Sequence, residues 1–158
     1  MRNSTLCYIE RDGKYLMLHR VKKENDVNHD KWIGIGGGLE EGESPLDCVI
    51  REANEETGLF LNDPRYRGLV TFCYSSGEEA ITEQMHLFTC LDFSGELNPE
   101  CDEGDLEWVP KEKVSELPIW EGDKIFLRLM EEHVPFFSLK LCYEGDRLTY
   151  VALDGIPR

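Results

Sequence analysis

The strongest constraint on the fold lies between Gly37 and Leu59, in the 23-residue string GGLEEGESPLDCVIREANEETGL. Ser44 is suited to cap a helix N-terminus, Pro45 suits its first position, and Asp47 completes an S-x-x-D capping pattern. Leu46, Val49, Ile50 and Ala53 then recur at i, i+3, i+4 and i+7, a stripe that predicts a core-facing side. Gly58 supplies a left-handed C-terminal cap. The string therefore predicts a helix over residues 45–57. Glu52, Glu55 and Glu56 fall at i, i+3 and i+4, beside and opposite the apolar stripe, and are expected to point away from the core. Glu52 and Glu56 repel each other at i, i+4, and a bound divalent cation would reverse that sign.

A glutamate-rich helix face is commonly a solvated surface. The segment just upstream argues for chemistry instead. Trp32-Ile33-Gly34-Ile35-Gly36-Gly37-Gly38 has four glycines in five residues, which lets backbone approach a ligand or present carbonyls to it. Mg²⁺ prefers hard oxygen ligands, and a carbonyl beside two or three carboxylates, with waters and substrate phosphates, is a suitable set. No Gly-Lys-Ser/Thr follows the glycines, so the loop is not a Walker A motif. Their spacing also excludes a dinucleotide fingerprint. Arg20, Lys22, Lys23 and Lys31 form a basic approach to the loop, with Arg20 and Lys23 as candidate phosphate contacts.

The whole chain of 158 residues reads as one domain, 1–158. Its hydrophobic share of 41% excludes a disordered chain. No stretch nears the ~20 apolar residues of a membrane span, and the polar start lacks a signal-peptide core. Six cysteines without a C-x-x-C pair read as reduced thiols of a cytoplasmic protein. The net charge of −15 repels DNA and RNA, so a nucleic-acid polymer is not expected as partner. A small anionic nucleotide can still bind through metal ions and local cations, and a monomer is expected.

Strands are predicted over 5–10 and 14–20 around a turn at Arg11-Asp12-Gly13, then over 65–74 and 81–93 around Ser76-Gly77. A short strand over 106–109, a short helix opened by Pro110, and a helix over 122–133 follow. Ile125, Phe126, Leu129 and Met130 are expected to face inward on that helix. A hairpin over 136–143 and 148–153 ends the chain. Strands and helices mix without βαβ alternation, which predicts an α+β fold, a mixed β-sheet flanked by helices.

Gly37, Glu43, Arg51, Glu52, Glu55, Glu56, Gly58 and Leu59 match the Nudix box, and the chain resembles Nudix hydrolases, with Ala53 a small residue where a larger aliphatic is usual. From Thr5-Leu6 through Lys31-Trp32, Met85-His86-Leu87-Phe88 and Asp102-Glu103 to Leu117-Pro118-x-Trp120-x-x-Asp123, it is similar to the MutT-type enzymes that hydrolyse 8-oxo-dGTP. The resemblance implies an α/β/α sandwich and a Mg²⁺ cofactor, with Mn²⁺ as substitute. It also implies attack of water within a triphosphate, releasing a monophosphate and pyrophosphate. Glu52, Glu55 and Glu56 would be metal ligands or base, with the carbonyl of Gly36 or Gly37 as a further ligand and Gly38 beside the substrate. Glu43 and Arg51 would form a structural pair. Glu103 reads either as an exposed acidic loop or as a ligand or general base, and the resemblance favours the second.

For the nucleobase, Trp120 reads as a stacking platform or as a cover over the following helix. Asp123 reads as a contact to the purine's Watson–Crick edge or as a first-turn carboxylate. Thr5 reads as a base or sugar contact or as an ordinary strand residue. Gly122 and Ile33 stand where relatives place a second acid and an amide. Trp32 is expected to pack beneath the glycine loop and Trp108 in the core, and His86 and His133 have no metal-ligand partner. The competing readings are a Nudix hydrolase of ADP-ribose, dinucleoside polyphosphates or ordinary nucleotides, and a non-catalytic nucleotide-sensing module.

Overall fold

The computed structural model describes residues 1–22, 25–98 and 101–158. Strand β1 (Arg2–Arg11) turns at Asp12 and Gly13, both left-handed, into β2 (Lys14–His19). A loop leads to the two-residue β3 (Trp32–Ile33) and the glycine segment, then to helix α1 (Pro45–Thr57), with the predicted bounds. After β4 (Phe60–Leu61), the long hairpin of β5 (Arg65–Ser76) and β6 (Glu79–Cys90) closes at Gly77. Strands β7 (Phe93–Ser94) and β8 (Asp105–Pro110) precede α2 (Lys111–Val114) and α3 (Glu121–Glu131). Strands β9 (Phe137–Glu144), β10 (Arg147–Leu153) and β11 (Ile156–Pro157) end the chain.

Among the described residues, nine strands form one sheet in the order β11-β10-β9-β5-β6-β1-β2-β3, with β8 also paired to β2. The β1–β6 and β5–β9 pairs are parallel and the others antiparallel, so the sheet is mixed. Its central strands are apolar at successive positions because both faces are covered. Leu6 and Tyr8 of β1 and Tyr15 and Met17 of β2 join one core cluster with Phe126, Leu129 and Met130 of α3. Cys7, Ile9, Leu16 and Leu18 join a second with Val49 and Ala53 of α1. The result is a helix–sheet–helix sandwich.

Helix α1 carries the predicted signals. Ser44 accepts from the Asp47 N–H at 3.0 Å, Asp47 accepts from the Ser44 N–H at 3.0 Å, and Gly58 is left-handed at φ 81°. Its apolar stripe is rotated from the one predicted. Leu46 is 47% exposed, and Cys48 takes a buried place beside Val49 and Ala53. Leu46 lies in the first turn of the helix. Trp108 is half-buried at the rim of the second cluster, with the Arg11 guanidinium 4.7 Å over its ring.

Candidate active site

The glycine segment runs along β1 like a further antiparallel strand. Ile35 exchanges two hydrogen bonds with Cys7, and the Gly37 carbonyl accepts from the Thr5 N–H at 2.8 Å. Alternation then turns the backbone of Gly36 the other way, toward α1, where its N–H donates to Glu56 Oε2 at 3.2 Å. Close approach explains two of the glycines. A Cβ on Gly36 would lie 1.9 Å from the Thr5 carbonyl, and one on Gly37 would lie 2.4 Å from the Glu52 carboxyl. Of the two predicted carbonyl ligands, Gly37 has its carbonyl taken up by β1, whereas Gly36 meets the carboxylates through its N–H.

Arg51 organises the acidic helix. Its guanidinium grips Glu43 in a bidentate pair at 2.7 and 2.9 Å and donates to the Gly38 carbonyl at 3.1 Å. That pairing holds the Glu43 carboxyl down to about 2. The same group reaches Glu52 at 2.9 Å and Glu55 at 3.1 Å. Glu43 and Arg51 thus join the loop to the helix.

Glu56 departs from the expected outward orientation. It tucks beneath the glycine segment, and burial, then Glu103 and Glu52, push its carboxyl up to about 9. Glu103 arrives from the segment just before β8, hydrogen-bonded to Glu56. Burial raises Glu52 as well, opposed by Arg51. Among the described residues, no three acidic side chains stand in a ready cation cage. The reason is visible in their partners, since Arg51 holds Glu52 and Glu55 while Glu56 and Glu103 hold each other. The donor set itself fits a hard divalent cation, since Glu52, Glu56 and Glu103 bring carboxylate oxygens near one another.

Beside this cluster opens a cavity of about 530 Å³, floored by Phe72, Met85 and Trp120 and reached by Thr5, Ile33, Gly36, Gly37 and Asp123. A larger recess of about 690 Å³ lies between α3 and β10, and none of the predicted site residues lines it. Trp120 is 4% exposed. Its Nε1 donates to Asn28 Oδ1 at 2.7 Å, Lys31 sits 4.6 Å over its ring, and Tyr143 meets it edge-on at 4.8 Å. It is a clamped wall of the cavity more than an open platform. Asp123 is in the first turn of α3 but caps nothing, and burial lifts its carboxyl to about 8, with Lys31 opposing. Gly122 has no room for an acid, since a Cβ there would lie 2.5 Å from both Leu141 Cδ1 and the Tyr143 hydroxyl. Its N–H donates to that hydroxyl at 2.7 Å.

The basic approach is dispersed. Arg20 is bound to Asp26 at 2.7 Å and Glu103 at 2.8 Å, Lys22 bonds the Cys101 carbonyl, and Lys31 faces Trp120 and Asp146. Each of these three described cations thus has a partner within the fold. Lys23 lies outside the described residues. Thr5 is 3% exposed and contacts Cys48 Sγ and the Gly37 carbonyl, which ties β1 to the loop. Trp32 stacks on His19 at 4.4 Å, and His86 bonds Tyr66 and Asn3. Sequence reasoning missed Arg2, Asp26, Asn28 and Glu83. All four line the cavity, and Glu83 accepts from Ser4 Oγ at 2.7 Å. No local spacing marks them, because cross-sheet register and loop closure bring them in.

The NUDIX domain family model matches residues 1–130. An uncharacterised Nudix hydrolase of Bacillus subtilis, YvcI, is 32% identical over 131 residues, 82% of this chain and 79% of that protein. An oxidized purine nucleoside triphosphate hydrolase of Danio rerio is 27% identical over 134 residues, covering 85% and 82%. The crystal structure of a MutT protein from Bacillus halodurans superposes with a TM-score of 0.85 at 28% identity, over 99% of this chain and all of that one.

Proposed function

The chain belongs to the Nudix family, and from that membership we propose that it is a Mg²⁺-dependent pyrophosphohydrolase of oxidised purine nucleoside triphosphates such as 8-oxo-dGTP. The observation that carries the reading is the convergence of Glu52, Glu56 and Glu103 on the Gly36 side of a cavity with Asp123 and Trp120 at its other end. Glu52, Glu55, Glu56 and Glu103, with the Gly36 carbonyl, would hold the metal, and Mn²⁺ would be able to replace Mg²⁺ there. When bound, the cation neutralises charge on the phosphate oxygens and acidifies a water. Water attacks the β-phosphorus, the α–β bridging oxygen leaves with the nucleoside monophosphate, and pyrophosphate is released. Glu103 acts as a further ligand or takes the proton of that water, and Arg20 steers its carboxylate.

The purine lies between Ile33, Phe72 and Trp120 and meets Asp123, whose neutral carboxyl both donates and accepts. Thr5 and Gly38 border the sugar and phosphates. We further propose one domain over 1–158, a cytoplasmic monomer with no nucleic-acid polymer as partner. Similarity to the Danio rerio hydrolase supports the oxidised-purine substrate.

The test is a panel of 8-oxo-dGTP, 2-hydroxy-dATP, dGTP, ADP-ribose and diadenosine polyphosphates, with kcat/KM measured in Mg²⁺. Preference for the oxidised purines supports the proposal. Preference for ADP-ribose by orders of magnitude removes the substrate assignment.

A further inference from the structure

Cys7, Cys48, Cys90 and Cys101 are buried, while Cys73 and Cys142 are half-buried, and all six are free. Those two are direct partners in the parallel register of β5 and β9. Adjacent strands lie about 4.8 Å apart, within the roughly 4.4–6.8 Å that a disulfide spans between Cα atoms. The Cys73 sulfur lies near enough to raise the Cys142 thiol. Thr82, opposite Cys73, and Tyr150, opposite Cys142, complete a row across four strands that carries no charge.

This row lies directly behind the nucleotide cavity. Phe72 and Tyr74 flank Cys73 and point to the other face, as do Leu141 and Tyr143 beside Cys142. Phe72 and Tyr74 meet the Trp120 ring at 5.3 and 6.1 Å, Tyr143 meets it at 4.8 Å, and Tyr143 also holds Gly122. A covalent bond that fixes β5 to β9 at this pair therefore constrains the residues that seat Trp120 and Asp123.

We propose that Cys73 and Cys142 form a reversible disulfide by exchange with a low-molecular-weight disulfide, and that this bond adjusts the cavity from behind its wall. The Cys73 thiolate attacks one sulfur of the small disulfide, forming a mixed disulfide and releasing one small thiol. The Cys142 sulfur then attacks Cys73, closing the intramolecular bond and releasing the second. Two protein thiols are oxidised, one small disulfide is reduced to two thiols, and the two protein protons end on those thiols. Burial and the neighbouring sulfur push the Cys142 thiol up, with the Lys140 ammonium opposing, so closure quickens as the medium becomes more alkaline.

The experiment uses the full chain, incubated with oxidised glutathione and read by intact mass and non-reducing tryptic mapping. The expected result is loss of two hydrogens, with the Leu141–Arg147 peptide bridged to the one starting at Gly68, reversed by dithiothreitol. Cys73→Ser and Cys142→Ser should both abolish the bridge, and Cys142→Ser should retain glutathione on Cys73. An unchanged mass, a lasting glutathione adduct on the wild-type chain, or a bridge through another cysteine overturns the proposal. The effect on the cavity rests on the function proposed above and has its own readout. KM for a purine triphosphate should rise severalfold on oxidation while kcat holds, with no change in Cys73→Ser. An unchanged KM in the bridged protein overturns that half, and the mass result stands apart from any activity.

Discussion

A carboxyl buried as deeply as Asp123 is better tolerated neutral than charged. Its folded value near 8 lies above the ~3.9 of an unfolded chain. Between those values the folded state binds more protons, so stability falls as pH rises through the window, by up to about 1.4 kcal/mol per pH unit for one such group. Asp123→Asn is therefore expected to flatten that decline and to raise the urea midpoint at neutral pH. An unchanged pH profile would contradict the burial argument. At Gly37 the expected outcome is steric, since alanine would push its Cβ against the Glu52 carboxyl. Gly37→Ala should lower kcat far more than it lowers melting temperature, read by turnover beside thermal unfolding. The i, i+3, i+4 spacing showed that Glu52, Glu55 and Glu56 share a helical sector. It did not show that the glycine segment roofs Glu56, because that contact joins residues twenty positions apart. Arg20 was legible as a cation near the loop, but its partners Asp26 and Glu103 were not.

Helix α1 was readable because its signals are local: a capping pair, a proline, a left-handed glycine and a periodic stripe. Ser44→Ala removes the acceptor for the Asp47 N–H and should cost about 1 kcal/mol, measured by urea unfolding. Arg51→Ala strips five oxygen acceptors of their donor at once, on the four residues Glu43, Gly38, Glu52 and Glu55. It should cost both activity and stability, with Arg51→Lys rescuing little because lysine lacks the bidentate fork. Full activity in the lysine variant would contradict the bracing role. Short strands were not readable. Strands β3, β4, β7 and β11 have two residues each and exist only through their partners. The polar start of β1 likewise became strand because β6 pairs with Arg2 through Ile9.

At the scale of the molecule, the two-sided core follows from strands apolar at successive positions, which sequence showed as strands without showing which face each residue joined. The mixed sheet and flanking helices follow the α+β expectation. The base pocket was the least legible part. Its walls come from β5, β6, α3 and the loop before β3, gathered by topology. With a net charge of −15, self-repulsion opposes folding, so the urea midpoint should rise as sodium chloride is raised from low to physiological concentration. A fall would mean that attractive ion pairs dominate instead. The account stands or falls on the carboxylate cluster beside the glycine segment. The most direct test is product analysis with 8-oxo-dGTP and Mg²⁺ in ¹⁸O-water, for the wild-type chain and Glu56→Gln. The expected result is monophosphate and ¹⁸O-labelled pyrophosphate in equal amounts, with the rate of Glu56→Gln lower by about 100-fold or more. No turnover by the wild-type chain, release of orthophosphate, or full activity in Glu56→Gln would contradict it.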